Sequence, residues 1–222
     1  AVAAALCAVS SLSGMRYVDG LDNMSANIIA FGVAGSGTGK EQILQSYLSI
    51  IKTAGVQAAL HGGFKSEQEV MRNLIRHQAA FYCIDELGIT LSKLQNASKK
   101  GGASYLEGIV GLVMSVYSKA NGYLPITGDL KDDIKQKLII EYAQVEKKLE
   151  KLAEDSSTET MRAKLAEAKE QIMLAIKSVD DGLENPYLTV LGFTTPVTFN
   201  DLMTFEQATN GFMARAMIFS DL

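Results

Sequence analysis

The feature that most constrains this chain is an apolar run that leads into a glycine-rich loop and then into a helix-like segment. The run Asn27 to Val33 (NIIAFGV) has the composition of a buried strand, and residues 41–54 carry apolar side chains at helical spacing. The loop between them is Ala34-Gly35-Ser36-Gly37-Thr38-Gly39-Lys40. Glycines let a backbone curl until its N–H groups and the next helix N-terminus surround an anion, and a terminal lysine reaches the outer phosphates. The stretch therefore predicts a phosphate-binding loop within an α/β fold.

Strand-like and helix-like segments alternate along the rest of the chain. Ser66 followed by Glu69 is a capping box that marks one helix start. Strands are expected at 56–60, 79–84, 187–194 and 213–219, and helices at 1–14, 66–77 and 198–209, with helix, loop and helix over 87–123. Such alternation predicts a parallel sheet flanked by helices.

Residues 132–179 differ, because apolar residues there recur at alternating spacings of four and three in two stretches. This is a heptad pattern, and a polar turn with a second capping box, Ser156 with Glu159, separates the two stretches. It predicts an antiparallel helical hairpin inserted into a core made of 1–131 and 180–222. Over residues 129–184 there are 14 acidic and 10 basic residues, and this net charge of −4 argues against a DNA-binding arm and for a partner-facing or structural one.

Composition narrows the function classes. The 21 Lys and Arg residues stand against 25 Asp and Glu, a net charge of −4, so no global basic field draws the protein to nucleic acid. Two histidines exclude a multi-histidine metal site. Cys7 and Cys83 lie in apolar runs without metal-ligand spacing, which predicts buried free thiols and a reducing, cytoplasmic location. No stretch reaches the ~20 apolar residues of a membrane span. The chain does not begin with Met and stops just after a predicted strand, so we expect it to be a piece of a longer protein.

Carboxylates supply the candidate metal and catalytic groups. Asp85, at the tip of the predicted strand 79–84, is a candidate Mg²⁺ residue, and Glu86 is a candidate general base for the attacking water. The alternative role of this pair is an acidic cap on the next helix. Glu41 stands where loops of this kind carry a hydroxyl that touches Mg²⁺. Glu41 is therefore a second candidate metal residue, through direct or water-mediated contact. For the loop 34–40 as a whole, the alternative is a glycine-rich loop that binds no ligand.

Two further features of the sequence, a pair of threonines and an arginine, are candidates for contacting the outer phosphate. Thr194 or Thr195 suits that role if their strand lies beside the strand that ends at Asp85, and the alternative is a plain strand end before Pro196. Arg215 is a single charge in an apolar segment, so it needs a partner if buried. That partner is either a phosphate on a neighbouring subunit, which makes Arg215 an arginine finger, or an intramolecular carboxylate.

These motifs carry a family resemblance along most of the chain. NIIAFGVAGSGTGK, the SEQEVMRNL helix before FYCIDELG, and TVLGFTTPVTF followed by NGFMARAMIF resemble the P-loop ATPase domain of phage and mobile-element replication proteins, which is often fused to primase modules. The last part is similar to superfamily 3 helicases, in which a sensor strand precedes an arginine and a closing strand. AAA+ enhancer-binding ATPases share the GTGKE ending. The resemblance implies a P-loop NTPase fold of the AAA+ or RecA-like kind.

The resemblance implies an ATP- and Mg²⁺-dependent, ring-forming DNA helicase that acts on single-stranded DNA, with a primase domain or partner. It gives Lys40, Asp85, Glu86, Thr195 and Arg215 the roles described above. Glu41 and the helical hairpin depart from the family pattern, and the hairpin is expected to be a lineage-specific insertion.

Three functions remain open at the level of sequence. The first is a replicative helicase, and the second is a DNA-packaging or other nucleic-acid-stimulated motor. The third is an oligomeric scaffold that binds ATP and hydrolyses little because of Glu41. Lys99 and Lys100 are candidates for nucleic-acid backbone contacts, and the alternative is a solvated loop.

Overall fold

The computed structural model describes residues 1–14, 17, 20–21, 24–92, 104–152, 159–202 and 211–220. The predicted lysine pair Lys99-Lys100, the cap residue Ser156 and the second half of the helix expected at 198–209 lie outside the described residues.

Five of the seven described strands form one parallel sheet. The strands are β1 (Ile29–Val33), β2 (Leu60–His61), β3 (Ala79–Ile84), β4 (Tyr123–Leu124), β5 (Leu183–Glu184), β6 (Tyr187–Thr194) and β7 (Ala216–Ser220). The order in the large sheet is β2-β3-β6-β1-β7, and each neighbouring pair is parallel. Strands β1, β3 and β6 are almost entirely buried, which explains their continuous apolar sequences. The predicted parallel sheet is confirmed.

Helices cover this sheet. They are α1 (Val2–Ser13), α2 (Lys40–Thr53), α3 (Glu67–His77), α4 (Ser104–Ser118), α5 (Gly128–Leu152), α6 (Glu159–Asp181), α7 (Pro196–Leu202) and α8 (Gly211–Ala214). Residues 87–92 are also helical. The α3 helix starts as predicted, because the Ser66 hydroxyl accepts the Glu69 N–H at 3.1 Å.

Helix α1 packs against α2 and against the sheet through β1, β6 and β7. It has no charged residue, and its buried face carries small side chains that let the helix approach closely. Two buried hydroxyl groups on this face form hydrogen bonds with side chains of β6 and α2. The Ser10 Oγ lies 2.6 Å from the Thr189 Oγ1 and 2.9 Å from the Tyr187 hydroxyl, and the Ser11 Oγ lies 2.8 Å from the Tyr47 hydroxyl.

Helices α5 and α6 form the predicted antiparallel hairpin. Lys135 near the start of α5 pairs with Asp180 near the end of α6 at 2.7 Å, and Lys169 pairs with Glu146 at 2.7 Å. The base of the hairpin is part of the main core, which holds Ile134, Leu138, Ile172, Ala175 and Val179 together with residues of α3. An antiparallel ribbon of β4 and β5 joins the two ends of the hairpin.

Two predicted strands differ from the structure. The segment expected as a strand at 56–60 forms a 3₁₀ turn, Gln57–Ala59, and only Leu60–His61 pairs with β3. The strand expected at 213–219 begins at Ala216, because Phe212 and Met213 are buried in the core from the short helix α8. Both segments belong to the outermost strands of the sheet, β2 and β7, and each of these strands pairs with one neighbouring strand rather than two.

Candidate functional site

Three parallel strands bring the predicted site segments to one edge of the sheet. Val33, the last residue of β1, is level with Thr194 of β6, and Ile84, the last residue of β3, is level with Gly192 of β6. Because carboxyl ends of parallel strands share an edge, the glycine-rich loop, the acidic pair and the two threonines follow strands that end side by side. Strand β6 lies between β1 and β3, beside the strand that ends at Asp85.

The glycine-rich loop uses positive backbone angles. Gly37 (φ 78°) and Gly39 (φ 81°) adopt the left-handed region that favours glycine, and Gly39 is the residue from which α2 begins. Within the loop the Thr38 hydroxyl donates to the Gly35 carbonyl at 2.8 Å. The Lys40 ammonium donates to the Ala34 carbonyl at 3.1 Å. A lysine held at the mouth of a curled loop and a helix N-terminus fit a phosphate group.

Strand β6 is tied directly to this loop. The Ala34 N–H donates to the Thr194 carbonyl at 3.1 Å, so the first residue of the loop is bonded to the last residue of β6. The Thr194 side chain is buried. A shift of the end of β6 would therefore displace Ala34, the first residue of the loop.

Glu41 lies in the first turn of α2, where a negative charge is favourable. Its carboxylate is exposed, and its Oε1 accepts a hydrogen bond from the Gln45 side chain at 2.7 Å. One oxygen of the candidate metal residue is thus engaged with its own helix.

The acidic pair is exposed at the end of a buried strand. The Asp85 Oδ1 accepts the Glu86 N–H at 3.1 Å. Glu86 has a positive φ of 60°, and its carbonyl accepts the N–H groups of Ile89 and Thr90 as the helix at 87–92 begins. Among the described residues, the Glu86 carboxylate has no hydrogen-bond or ion-pair partner. The backbone of this pair starts a helix, while the Glu86 side chain is left open to solvent.

Two glycines that the sequence analysis did not single out pack the acidic segment onto β6. A Cβ at Gly88 would meet the Thr194 hydroxyl and, at 2.9 Å, the Thr198 side chain. A Cβ at Gly192 would lie 2.7 Å from the Leu87 Cβ. A glycine inside a predicted strand and another just after an acidic pair signal close backbone approach, and this signal was available in the sequence.

Thr195 caps a helix. Its Oγ1 accepts the Thr198 N–H at 3.3 Å and lies 2.9 Å from the Thr198 hydroxyl, and Pro196 occupies the first position of α7. The hydroxyl of the predicted sensor residue is therefore bonded within its own helix start.

Arg215 lies at the opposite edge of the sheet. It precedes β7, whose first residue Ala216 is level with Ile29 at the start of β1. Four strand residues, or about 13 Å, separate that edge from Val33. The guanidinium is exposed and donates to the Gly211 carbonyl at 2.7 Å, and no ion pair of Arg215 is present in the described part of the chain. The structure does not bring Arg215 to the loop of its own chain.

A cavity of about 540 Å³ adjoins the glycine-rich loop, with Ala34, Thr38 and Lys40 at its wall. It lies between the start of α1, the start of α2 and the end of β7. This volume falls in the range of small-molecule sites. Asp85 and Glu86 do not line it.

The cysteines, the possible metal ligands and the apolarity of the helices were also compared with the expectations from composition. Cys7 and Cys83 are free and buried, as predicted, and burial raises the pKa of both thiols to about 12. Over the described residues, no three His, Cys, Asp or Glu side chains gather where they would hold a metal ion. No helix in the described ranges has the length and apolarity that crossing a membrane requires.

Comparison of the chain with models of protein families, with curated proteins and with solved structures finds no match.

Proposed function

We propose that this chain is a P-loop ATPase, the cytoplasmic motor domain of a DNA helicase in phage or mobile-element replication. One observation carries the proposal: the glycine-rich loop 34–40 and the pair Asp85-Glu86 follow parallel strands that end at the same edge of one sheet. A phosphate-binding loop and a strand-end carboxylate at one edge are the two parts that hydrolysis of a nucleoside triphosphate needs.

The residues at this edge fit a nucleotide with its metal ion. The loop N–H groups and Lys40 would bind the phosphates, and Asp85 would hold Mg²⁺ together with phosphate oxygens and water. When bound, Mg²⁺ neutralises part of the phosphate charge. Glu86, whose exposed carboxylate has no partner among the described residues, would accept the proton of the attacking water.

The position of Arg215 supports a ring with sites between subunits. Arg215 has an exposed guanidinium, and its backbone precedes a strand start that lies about 13 Å along the sheet from the end of β1, so the residue is poorly placed for its own nucleotide but is accessible to a neighbour. In mixed assemblies, Arg215→Ala subunits should restore ATPase activity to Lys40→Ala subunits, because each supplies the group that the other lacks. Full activity of Arg215→Ala alone would contradict the role in trans.

Hydrolysis is tested by steady-state ATPase assays of the wild type, Lys40→Ala and Glu86→Gln. We expect each variant to lose activity by about 10²-fold or more, while the exposed hairpin variant Glu150→Gln keeps wild-type activity. Equal rates for the wild type and Glu86→Gln would reject hydrolysis by this site.

One observation favours the nucleotide-gated scaffold as a second candidate: Glu41 is bonded to Gln45 and replaces the usual hydroxyl. The scaffold predicts ATP binding and oligomerisation without the difference between wild type and Glu86→Gln. If hydrolysis is observed, a strand-displacement assay separates a helicase from a packaging motor, because only the helicase releases the displaced strand.

A further inference from the structure

The cavity beside the glycine-rich loop is larger than a phosphate chain requires. Its volume is about 540 Å³, and it extends from Thr38 and Lys40 toward the first residues of α1 and the last residues of β7. Away from Thr38 and Lys40, the side chains that line the cavity are almost all hydrocarbon, and six of them are called here the apolar wall. They belong to Val2, Ala3, Ile43, Phe193, Ile218 and Phe219.

The chemistry changes sharply across the cavity. At the loop end stand an ammonium group, a hydroxyl and backbone N–H groups, which suit an anion. Beyond the loop, Ser220 is the one lining side chain of the described residues with a polar atom. A ligand that fills such a cavity has an anionic end and a flat or apolar end, as nucleotides do.

We infer that the apolar wall binds the nucleobase, and that it holds the base by packing without reading its edge. The inference rests on the proposed function, since it assumes that loop 34–40 binds the phosphates. The ligand class is then nucleoside triphosphates in general, with larger bases bound more tightly, and not ATP alone.

The physical reason is the difference between apolar contact and hydrogen bonding. Burying ring surface against aliphatic side chains adds affinity in proportion to area, and this term differs little between adenine and guanine. Strong discrimination arises where buried polar groups are left unpaired by the wrong ligand. Side chains that would impose that penalty are nearly absent from the apolar wall.

Titration calorimetry with MgATP, MgGTP, MgCTP and magnesium tripolyphosphate tests the inference on the whole chain. We expect ATP and GTP to bind within about fivefold of each other, CTP slightly more weakly, and all three about tenfold or more tighter than tripolyphosphate. A preference above about fiftyfold for ATP over GTP would overturn it, because the base edge would then be read. Tripolyphosphate binding equal to that of ATP would also overturn it.

Variants locate the effect. Ile218→Asp and Val2→Asp change exposed side chains of the apolar wall, which are 43% and 61% exposed, so folding should survive. Each should weaken nucleotide binding about tenfold and tripolyphosphate binding clearly less, because the added carboxylate repels both anions whereas the lost packing affects only the nucleotide. The control is Met217→Asp, on the same strand and 47% exposed, which lines a different cavity beside Asn27 and Tyr117. If both wall variants bind ATP as the wild type does, the base lies elsewhere.

The outcomes separate this inference from the proposed function. Loss of all nucleotide and tripolyphosphate binding in Lys40→Ala, with selective loss of nucleotide binding in the wall variants, supports both. Tripolyphosphate binding that Lys40→Ala does not change would contradict the phosphate site itself. If nucleotide binding depends on Lys40 but is unchanged in the wall variants, only the proposed base site is contradicted.

Discussion

At the end of β3, Glu86 adopts a left-handed backbone conformation that few non-glycine residues adopt. Such strain persists only where neighbouring contacts enforce it, and it is common at functional sites. Here the enforcing contacts come directly after Glu86, where Leu87 and Gly88 pack on the end of β6. The conformation of the acidic pair is therefore coupled to Thr194, which in turn bonds the glycine-rich loop.

A methyl group at Gly88 tests this coupling. Gly88→Ala should destabilise the protein by about 1–3 kcal/mol and lower the proposed ATPase activity, because its Cβ would overlap the Thr194 and Thr198 side chains. The control is Gly111→Ala in α4, where a Cβ meets nothing within 4 Å. That variant should be stabilised by about 0.5–1 kcal/mol, as helix propensity predicts. Denaturant unfolding measures both, and equal effects would show that Gly88 is not a packing constraint.

His61 makes the stability depend on pH. Burial lowers the pKa of His61, and the positive charge of His77 lowers it further. The centroid of the His61 ring lies 5.2 Å from the centroid of the Tyr82 ring. The unfolded chain then binds a proton more readily than the folded chain. Stability should therefore fall as pH drops below about 6.5, and His61→Phe should make that fall shallower in unfolding experiments between pH 7.5 and 5. His77 also has a pKa lowered by burial, so some dependence should remain. An unchanged slope would assign the effect to other groups.

At the scale of elements, α1 is held to the sheet by hydroxyl pairs within an otherwise apolar contact. Ser10 meets Thr189 and Tyr187 of β6, and all three residues are buried. An uncharged helix can slide on an apolar surface, whereas a buried hydroxyl network permits only the register in which each group finds its partner.

Ser10→Ala should cost about 1–3 kcal/mol, because the buried Thr189 hydroxyl loses its partner, whereas the Tyr187 hydroxyl keeps its bond to the Ser10 carbonyl at 2.8 Å. Ser46→Ala is the matched control, since the Ser46 hydroxyl is exposed on α2 and donates only to the Gln42 carbonyl. Its effect should stay within about 0.5 kcal/mol. Thermal or denaturant unfolding gives both values, and a Ser10→Ala effect as small as the control would mean that solvent or other partners replace the network.

At the scale of the whole molecule, the hairpin and the sheet share one core. Leu138 of α5 is fully buried in the same cluster as Leu74 of α3 and Val190 of β6. The Arg76 guanidinium on α3 forms an ion pair with Glu141 of α5 just above this cluster. Farther along the hairpin, Leu149 is only partly buried.

Leucine truncations compare the two halves of the hairpin. Leu138→Ala should destabilise the whole protein by about 2–5 kcal/mol in a single cooperative transition. Leu149→Ala should cost clearly less, because less apolar surface is buried there. Unfolding followed by both circular dichroism and tyrosine fluorescence checks this, and equal losses or two separate transitions would show that the hairpin folds as its own unit.

Local pattern was sufficient for much of this architecture. The strands at 79–84 and 187–194 were predicted residue for residue, because strands buried on both faces need uninterrupted apolar sequence. The start of α3 at Ser66 and the two helices of the hairpin were also predicted, since caps and periodicity are properties of neighbouring residues. The roles of Lys40, Asp85 and Glu86 stay predictions.

The sequence by itself thus determined the alternation of elements, the parallel sheet, the two buried thiols and the hairpin. Only the tertiary structure decided that β6 lies between β1 and β3, and that Arg215 lies at the opposite end of the strands from the glycine-rich loop. It also decided the β4-β5 ribbon and the short β2. The reason is physical: periodicity and capping act over a few residues, whereas strand pairing joins residues that lie from 21 positions apart, as Leu60 and Phe81 do, to 187 apart, as Ile29 and Ala216 do.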